Sequence, residues 1–180
     1  MKKTISILLV VMILSLGLGL NADDKELNVL ADLGFAFSDV EGLFFDLGIE
    51  KQFKQNLFAL LYLDYYFNPT GENFGAYGID ASLTLMGINL GAVYKSQLNE
   101  KIKWFLRAGL LLAISKATVT FLGYKTSDSA SDFGIFGGAG IEYLLSPKLA
   151  LMAGVALHMV FSDGTGTWFK LFAGINYNLK

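Results

Sequence analysis

Residues 174–177 read Gly-Ile-Asn-Tyr, and they form the last of four related phrases spaced along the chain. The earlier copies are Gly48-Ile49-Glu50-Lys51, Gly91-Ala92-Val93-Tyr94 and Gly140-Ile141-Glu142-Tyr143. Each copy ends a segment in which apolar residues alternate with small or polar residues. A period of about 34 to 50 residues, with two alternating segments in each, is typical of repeated β-hairpins. Four hairpins predict an all-β fold of eight antiparallel strands.

The alternating segments also give approximate strand bounds. We predict strands at residues 27–37, 43–53, 57–67, 76–94, 102–117, 132–145, 149–161 and 167–179. One set of connections is short, at 54–56, 96–101 and 146–148, and the other, at 38–42, 68–75, 118–131 and 162–166, includes the longest loop. If the strands form a bacterial membrane barrel, the second set lies outside the cell, because such barrels have short periplasmic turns and longer external loops. In strand four the alternation shifts phase at Met86-Gly87, which predicts a β-bulge.

The size of the side chains decides which face of the strands points outward. In strand eight one face carries Phe169, Leu171, Ala173, Ile175, Tyr177 and Leu179, and the other carries Lys170, Phe172, Gly174, Asn176 and Asn178. The interior of an eight-stranded barrel only just holds its own side chains, so the large apolar face must point outward. A continuous outward apolar band needs lipid around it. The sequence therefore predicts an up-and-down transmembrane β-barrel, with a soluble barrel as the alternative.

Aromatic residues cluster at the two ends of the predicted strands. They are Tyr94, Trp104, Tyr143 and Tyr177 at the turn end, and Phe35, Tyr65, Phe133, Phe161 and Trp168 at the loop end. Aromatic side chains concentrate at both interfaces of membrane barrels, so we interpret these residues as two interfacial girdles. The alternative is the general preference of aromatic residues for strands.

The first 22 residues have the pattern of a secretory signal peptide. Lys2 and Lys3 form a charged start, Ile5 to Leu20 form an apolar stretch, and Asn21-Ala22 is a plausible cleavage point. We therefore expect a signal peptide at residues 1–22 and a single barrel domain at 23–180. A membrane anchor helix is the alternative interpretation of the apolar stretch.

Composition excludes several function classes. The chain is 53% hydrophobic, yet its predicted mature part has no uncharged apolar run long enough for a membrane helix. The net charge of −2 gives no reason to expect a nucleic-acid partner. The chain has no cysteine, which excludes a lipid-anchored lipoprotein, and it has no P-loop or dinucleotide-binding fingerprint.

The predicted inward face carries ionisable residues, which must be paired when they are buried. They are Asp32, Asp46, Glu50, Asp64, Asp80, Lys103, Arg107, Glu142 and Lys170. One interpretation is a lumen plugged by ion pairs that fix the strand register. The other is a narrow water-filled path for small ions, gated when Arg107 or Lys170 changes its carboxylate partner. The narrow barrel favours the plug.

We expect no catalytic, cofactor or metal site in this chain. His158 is the only histidine, and strand parity directs it inward. A metal site needs further ligands nearby, and a serine hydrolase needs a nucleophile within reach of the histidine. Residue 160, two positions beyond His158, is a valine. A lipid-modifying enzyme therefore has little support in the sequence.

Charged residues also separate between the two ends of the predicted barrel. The outer rim carries Asp39, Glu41, Glu72, Asp128, Asp132 and Asp163, with Lys125 as the main exception, and the periplasmic rim carries Lys51, Lys54, Lys95, Lys101, Lys148 and Lys180. Solubilising charge at strand ends explains this pattern. If the acidic rim meets anionic glycolipid instead, divalent cations must bridge the two, and chelation would loosen the lipid contacts.

Over its whole predicted mature length, the chain resembles the small eight-stranded outer-membrane barrels, the OmpA-barrel and OmpX-like family. The final strand of that family serves as an assembly signal, and Gly174, Tyr177 and Leu179 match its spacing. The ending Leu179-Lys180 departs from the family's terminal aromatic residue. The resemblance implies a location in the bacterial outer membrane, with outer-membrane lipids, lipopolysaccharide and the outer-membrane assembly machinery as partners.

We therefore expect an integral outer-membrane barrel with a structural or interaction role in the cell envelope and no enzymatic activity. A narrow pore for small ions or solutes is the alternative, and a lipid-modifying enzyme is a weaker one. The sequence does not identify a ligand for the external loops.

Overall fold

The computed structural model describes residues 25–67, 79–121, 124–161 and 165–180 as a closed antiparallel barrel. Its strands are β1 (Leu27–Ser38), β2 (Gly42–Lys54), β3 (Leu57–Phe67), β4 (Ile79–Gln97), β5 (Ile102–Phe121), β6 (Tyr124–Leu144), β7 (Leu149–Phe161) and β8 (Thr165–Asn178). Each strand pairs with the next one along the chain, and β1 pairs with β8 to close the barrel. The predicted eight-stranded, all-β fold is confirmed. The predicted signal peptide and the predicted loop at 68–75 lie outside the described residues.

Within the described ranges, the protein forms no helix that is long and apolar enough to cross a bilayer.

Side chains alternate between the interior and the outer surface along the strands, as predicted for β1, β7 and β8. In β7, for example, Met152 and Ala156 are buried, whereas Leu151 and Val155 are about half exposed. The outer surface is thus a band of exposed leucine, isoleucine, valine and aromatic side chains. The interior combines a small apolar core with buried charged groups.

Glycines on the inner face make room for aromatic rings in the narrow lumen. A Cβ atom added at Gly154 would lie 2.7 Å from Cζ of Phe172, and one added at Gly34 would lie 2.6 Å from Cζ of Phe44. Both distances are well below van der Waals contact, so a larger residue at either position would displace the ring. The small residues of the inward face therefore permit a filled interior.

The predicted β-bulge in strand four is wrong. β4 keeps an unbroken register with β3 and with β5 through Met86 and Gly87. The one register shift of the described ladder lies in β2, between Gln52 and Lys54. The apparent change of phase arises because Leu85 is an inward apolar residue, with 6% of its surface exposed.

The predicted loop at 118–131 is wrong as well, since most of it continues the β5–β6 hairpin. The pairing runs without interruption from Ile102 opposite Tyr143 to Phe121 opposite Tyr124. Several of its residues are threonine, serine or valine; β-branched residues favour strands, and hydroxyl-bearing residues stabilise cross-strand pairs. Serine and aspartate in the same stretch resemble a turn in the sequence, which is why the prediction failed.

Among the residues that the structure describes, three strands continue beyond the closed part of the barrel. The described pairing of β3 with β4 runs as far as Tyr66 opposite Leu85, and that of β7 with β6 begins at Phe161 opposite Phe133. Residues 79–84, 114–121 and 124–132 form a three-stranded sheet past these points. We call this sheet the extension, and we call the opposite end of the barrel, with its short connections, the turn end.

Candidate functional site

Most of the predicted lumen charges lie inside the barrel in two clusters and one isolated pair. Asp46, Asp64 and Lys170 form a cluster in the half nearer the extension, which we call the upper cluster. Glu50 and Glu142 form a second one near the turn end with Lys95, which we call the lower cluster. Arg107 and Asp32 pair with each other.

The upper cluster surrounds a fully buried lysine. Nζ of Lys170 donates hydrogen bonds to both carboxylate oxygens of Asp46, at 2.9 and 2.7 Å, and lies 3.3 Å from Oδ1 of Asp64. It also lies 4.0 Å from the ring centre of Phe44. Two carboxylates and a cation–π contact together compensate for the loss of water around the ammonium group.

Aromatic and histidine side chains extend this cluster. The indole Nε1 of Trp168 donates a 2.9 Å hydrogen bond to the hydroxyl of Tyr66, which in turn donates to Oδ2 of Asp64 at 3.4 Å. Nδ1 of His158 lies 3.6 Å from the same oxygen, and its Nε2 lies 3.4 Å from the hydroxyl of Tyr62. His158 is completely buried, and parity predicted its inward position correctly.

The prediction that Trp168 belongs to the interfacial girdle is wrong, because the structure leaves only 3% of its surface exposed inside the barrel. Its neighbours Phe169 and Lys170 point outward and inward, so parity within β8 places Trp168 on the inner face. Sequence reasoning also missed Tyr62 and Tyr66. They alternate with Asp64 on β3, and that spacing was the available signal.

Arg107 packs between aromatic rings in the middle of the lumen. Its guanidinium carbon lies 4.1 Å from the ring centre of Phe172 and 5.1 Å from that of Tyr62. Its Nη1 lies 3.7 Å from Oδ2 of Asp32. Its Nε and Nη2 find no hydrogen-bond partner among the described protein atoms.

The lower cluster is built around a lysine that the sequence analysis assigned to the periplasmic rim. Lys95 is 5% exposed and forms ion pairs with Glu50 and Glu142, the latter at 2.6 Å. The amide of Asn176 donates a further hydrogen bond of 2.8 Å to Glu142. The rim assignment of Lys95 is wrong. In β4, position 95 follows the inward residues 91 and 93, so the side chain enters the lumen.

Two predicted lumen residues do not join these clusters. Lys103 is half-buried and lines a cavity of about 50 Å³ at the turn end, together with Lys95 and Glu142. The inward placement of Asp80 depended on the bulge that β4 lacks. By backbone register Asp80 is opposite Thr120 of β5, and its side chain lies outside the described set.

The remaining girdle residues lie on the outer surface. Phe35, Tyr65, Phe133, Phe161, Tyr94, Tyr143 and Tyr177 are all more than a third exposed, and Trp104 is partly exposed. Tyr94 and Trp104 contact each other with ring centres 5.4 Å apart, and Phe133 is directly opposite Phe161 across β6 and β7. Their position relative to a bilayer stays a prediction.

The predicted assembly-signal residues lie at the closing seam of the barrel. Gly174 is opposite Asp32 of β1, and a Cβ atom there would collide with the Asp32 carboxylate and the carbonyl oxygen of Ala31. Tyr177 and Leu179 are exposed on the outer surface. The geometry thus explains the need for glycine at 174, and the assembly role stays a prediction.

The interior holds ion pairs and hydrogen bonds among its own side chains. No group of three or more histidine, cysteine or acidic side chains in the described part of the chain is arranged to hold a metal ion. His158 lies against Asp64, Tyr62, Phe136 and Trp168. None of these four residues carries the serine or cysteine nucleophile that a hydrolase pairs with its histidine.

Comparison with known proteins gives a family and several similar folds. Residues 6–179 match the family described as outer membrane protein beta-barrel domain. Among curated protein sequences no match was found.

Three crystal structures of bacterial outer-membrane proteins illustrate the likeness in fold. A major outer membrane protein from Thermus thermophilus is 14% identical with a TM-score of 0.69, covering 87% of this chain and 100% of its own. Neisserial surface protein A is 18% identical with a TM-score of 0.61, covering 86% and 97%. Ail, the attachment invasion locus protein of Yersinia pestis, is 16% identical with a TM-score of 0.54, again covering 86% and 97%.

Proposed function

Because the chain belongs to the outer membrane protein β-barrel domain family, we propose that it serves as a non-enzymatic structural or interaction protein of the cell envelope. Its location is the bacterial outer membrane, as for the similar barrels. The proposed role is to span that membrane as a plugged barrel and to present the extension on the outer side of the membrane.

One observation carries this proposal, namely that charged and aromatic side chains fill the interior. Lys170 and Lys95 each lie between two carboxylates, at different heights of the barrel. Arg107 is between them, in contact with Phe172 and Tyr62. An eight-stranded barrel has room for its own side chains and little else, so these layers leave no wide aqueous path.

Single-channel recording in planar bilayers tests the plug. We expect the protein extracted from the outer membrane and inserted into a bilayer to be electrically silent. Steady discrete openings, altered in size or lifetime by Arg107→Ala or Lys170→Ala, would overturn the plugged-barrel role in favour of a pore.

The narrow pore remains the second candidate, and one observation favours it. Nε and Nη2 of the buried Arg107 have no hydrogen-bond partner among the described residues, although Asp32 is 3.7 Å from Nη1. A guanidinium that is only partly paired could exchange carboxylate partners, which is the movement that a gated ion path would need.

Export and assembly partners follow from the location. We propose that residues 1–22 act as a cleaved signal peptide and that the outer-membrane assembly machinery recognises the last strand through Gly174, Tyr177 and Leu179. We also propose lipopolysaccharide and other outer-membrane lipids as the surroundings of the barrel. N-terminal sequencing of the protein recovered from outer membranes tests the first point, and a start at residue 1 would contradict it.

A further inference from the structure

The outward alternation changes character at nearly one level on three neighbouring strands. Moving from the barrel into the extension, the outward residues change from Met86 to Thr84 on β4 and from Ile114 to Lys116 on β5. On β6 the change comes one row nearer the barrel, from Phe133 to Ser131, which is opposite Ile114. Apolar residues form the outward face below the row of Met86, Ile114 and Ser131, and polar residues form it above that row. This level therefore marks the edge of the apolar band.

Above that edge the described side chains of the outward face are lysines or carry hydroxyl groups. In register across the three strands, one row contains Thr84, Lys116 and Ser129, the next contains Ser82, Thr118 and Ser127, and the third contains Asp80, Thr120 and Lys125. Lys116, Ser129 and Lys125 are exposed. Among the described side chains of this face none is acidic. The single aspartate in these rows, Asp80, is in the row farthest from the apolar band.

The acidic residues of β6 belong to the opposite face of the extension. Asp128 is opposite Ala117 and Asp132 is opposite Ala113, a residue whose side chain is buried inside the barrel. The acidic outer rim expected from the sequence is therefore split by strand parity. Of that rim, Asp128 and Asp132 are on the lumen side of the sheet, whereas Lys116 and Lys125 are on the lipid side.

We propose that the outward face of the extension binds phosphate groups of the surrounding outer-leaflet lipids directly, with Lys116 as the principal residue. Lys116 lies immediately above the apolar band, where lipid headgroups begin, and it is flanked across the sheet by Thr84 and Ser129. An ammonium group next to hydroxyl donors is complementary to a phosphate, and lysines near an anionic membrane surface strengthen its attachment. The inference rests on the proposed orientation, with the extension on the outer side.

This contact does not need a divalent cation. The sequence alone suggested that an acidic rim would require divalent ions to bridge it to anionic lipid. The lysines replace that bridge on the side that faces lipid, so chelation should leave the lipid bound.

Native mass spectrometry of the full protein, extracted in detergent and given phosphatidylglycerol or phosphatidylcholine, tests this surface. With excess chelator we expect wild type to retain phosphatidylglycerol preferentially, and Lys116→Gln/Lys125→Gln to bind it about tenfold more weakly. The matched control is Lys101→Gln/Lys148→Gln, which removes two exposed lysines at the turn end and should change binding much less.

Equal loss in the two double variants, or release of the lipid by chelator, would overturn the proposal. Displacement by excess inorganic phosphate at constant ionic strength would overturn the assignment to lipid. Heat-dependent mobility on SDS gels confirms that each variant is folded, and the bilayer recording reports separately on the plug. A silent barrel without lipid preference would thus refute this surface and leave the proposed function intact.

Discussion

Lys170 and Lys95 each lie between two carboxylates inside the barrel, but their surroundings differ. Lys170 is completely buried, beside the ring of Phe44, and Asp64 of its cluster is tied to Tyr66. Lys95 joins β2, β4 and β6 across the lumen and borders the small turn-end cavity. The comparison teaches that a lysine between two carboxylates can be completely enclosed at one height of the barrel and can border a small cavity at another.

The largest effect is expected from removing the sealed lysine. Lys170→Met would leave Asp46 and Asp64 buried without their cation, which costs about 3 to 5 kcal/mol. Urea unfolding of the protein in lipid vesicles, followed by tryptophan fluorescence, measures this loss. Lys101→Met, at an exposed turn position, is the control and should unfold like wild type. An unchanged midpoint in Lys170→Met would show that the upper cluster does not stabilise the barrel.

The corresponding change in the lower cluster should cost less. Lys95→Met removes the cation between Glu50 and Glu142, but a second cation, Lys103, lines the same turn-end cavity. We expect a loss of about 1 to 3 kcal/mol in the same urea experiment. A loss as large as that of Lys170→Met would remove the distinction between the two clusters.

For a steric change at the closing seam, the loss of unfolding free energy should lie between those of Lys170→Met and Lys95→Met or below both. Gly174→Val would push a side chain against the Ala31 carbonyl and the Asp32 carboxylate, and overpacking of this kind costs about 1 to 3 kcal/mol. The yield of the heat-modifiable folded form on SDS gels measures the effect. Phe169→Val, on the exposed face of the same strand, is the control. Normal folding of Gly174→Val would contradict the close approach at this seam.

The smallest effect should come from Trp168, whose indole donates a hydrogen bond to the hydroxyl of Tyr66 in the upper cluster. Trp168→Phe keeps most of the ring volume but removes the Nε1 donor to the Tyr66 hydroxyl, which should cost about 1 kcal/mol. If urea unfolding showed instead that Trp168→Phe is neutral while Trp104→Phe is destabilising, the inward position of Trp168 would be in doubt.

The sequence was sufficient for the barrel and for its two faces because both depend on a period of two residues. The same rule would have placed Lys95 and Trp168 inside, had it been extended to the strand ends. Near a strand end, however, lysine is typical of a barrel rim and tryptophan of a membrane interface, and these two preferences led to the wrong positions for Lys95 and Trp168.

Other features of the interior could not be predicted from the sequence. The partnership of Lys95 with Glu50 and Glu142 joins three strands that are not neighbours in the sheet, so no local pattern encodes it. The extension was missed because the serine-rich stretch of β6 looks like a loop until its partner on β5 is known.

Single-channel recording of wild type beside Lys95→Met and Lys170→Met tests the central claim most directly, since both clusters are taken to close the lumen. The account predicts a folded wild-type barrel that passes no current, and any conductance should appear only in the variants. Steady discrete openings in the wild type would contradict it.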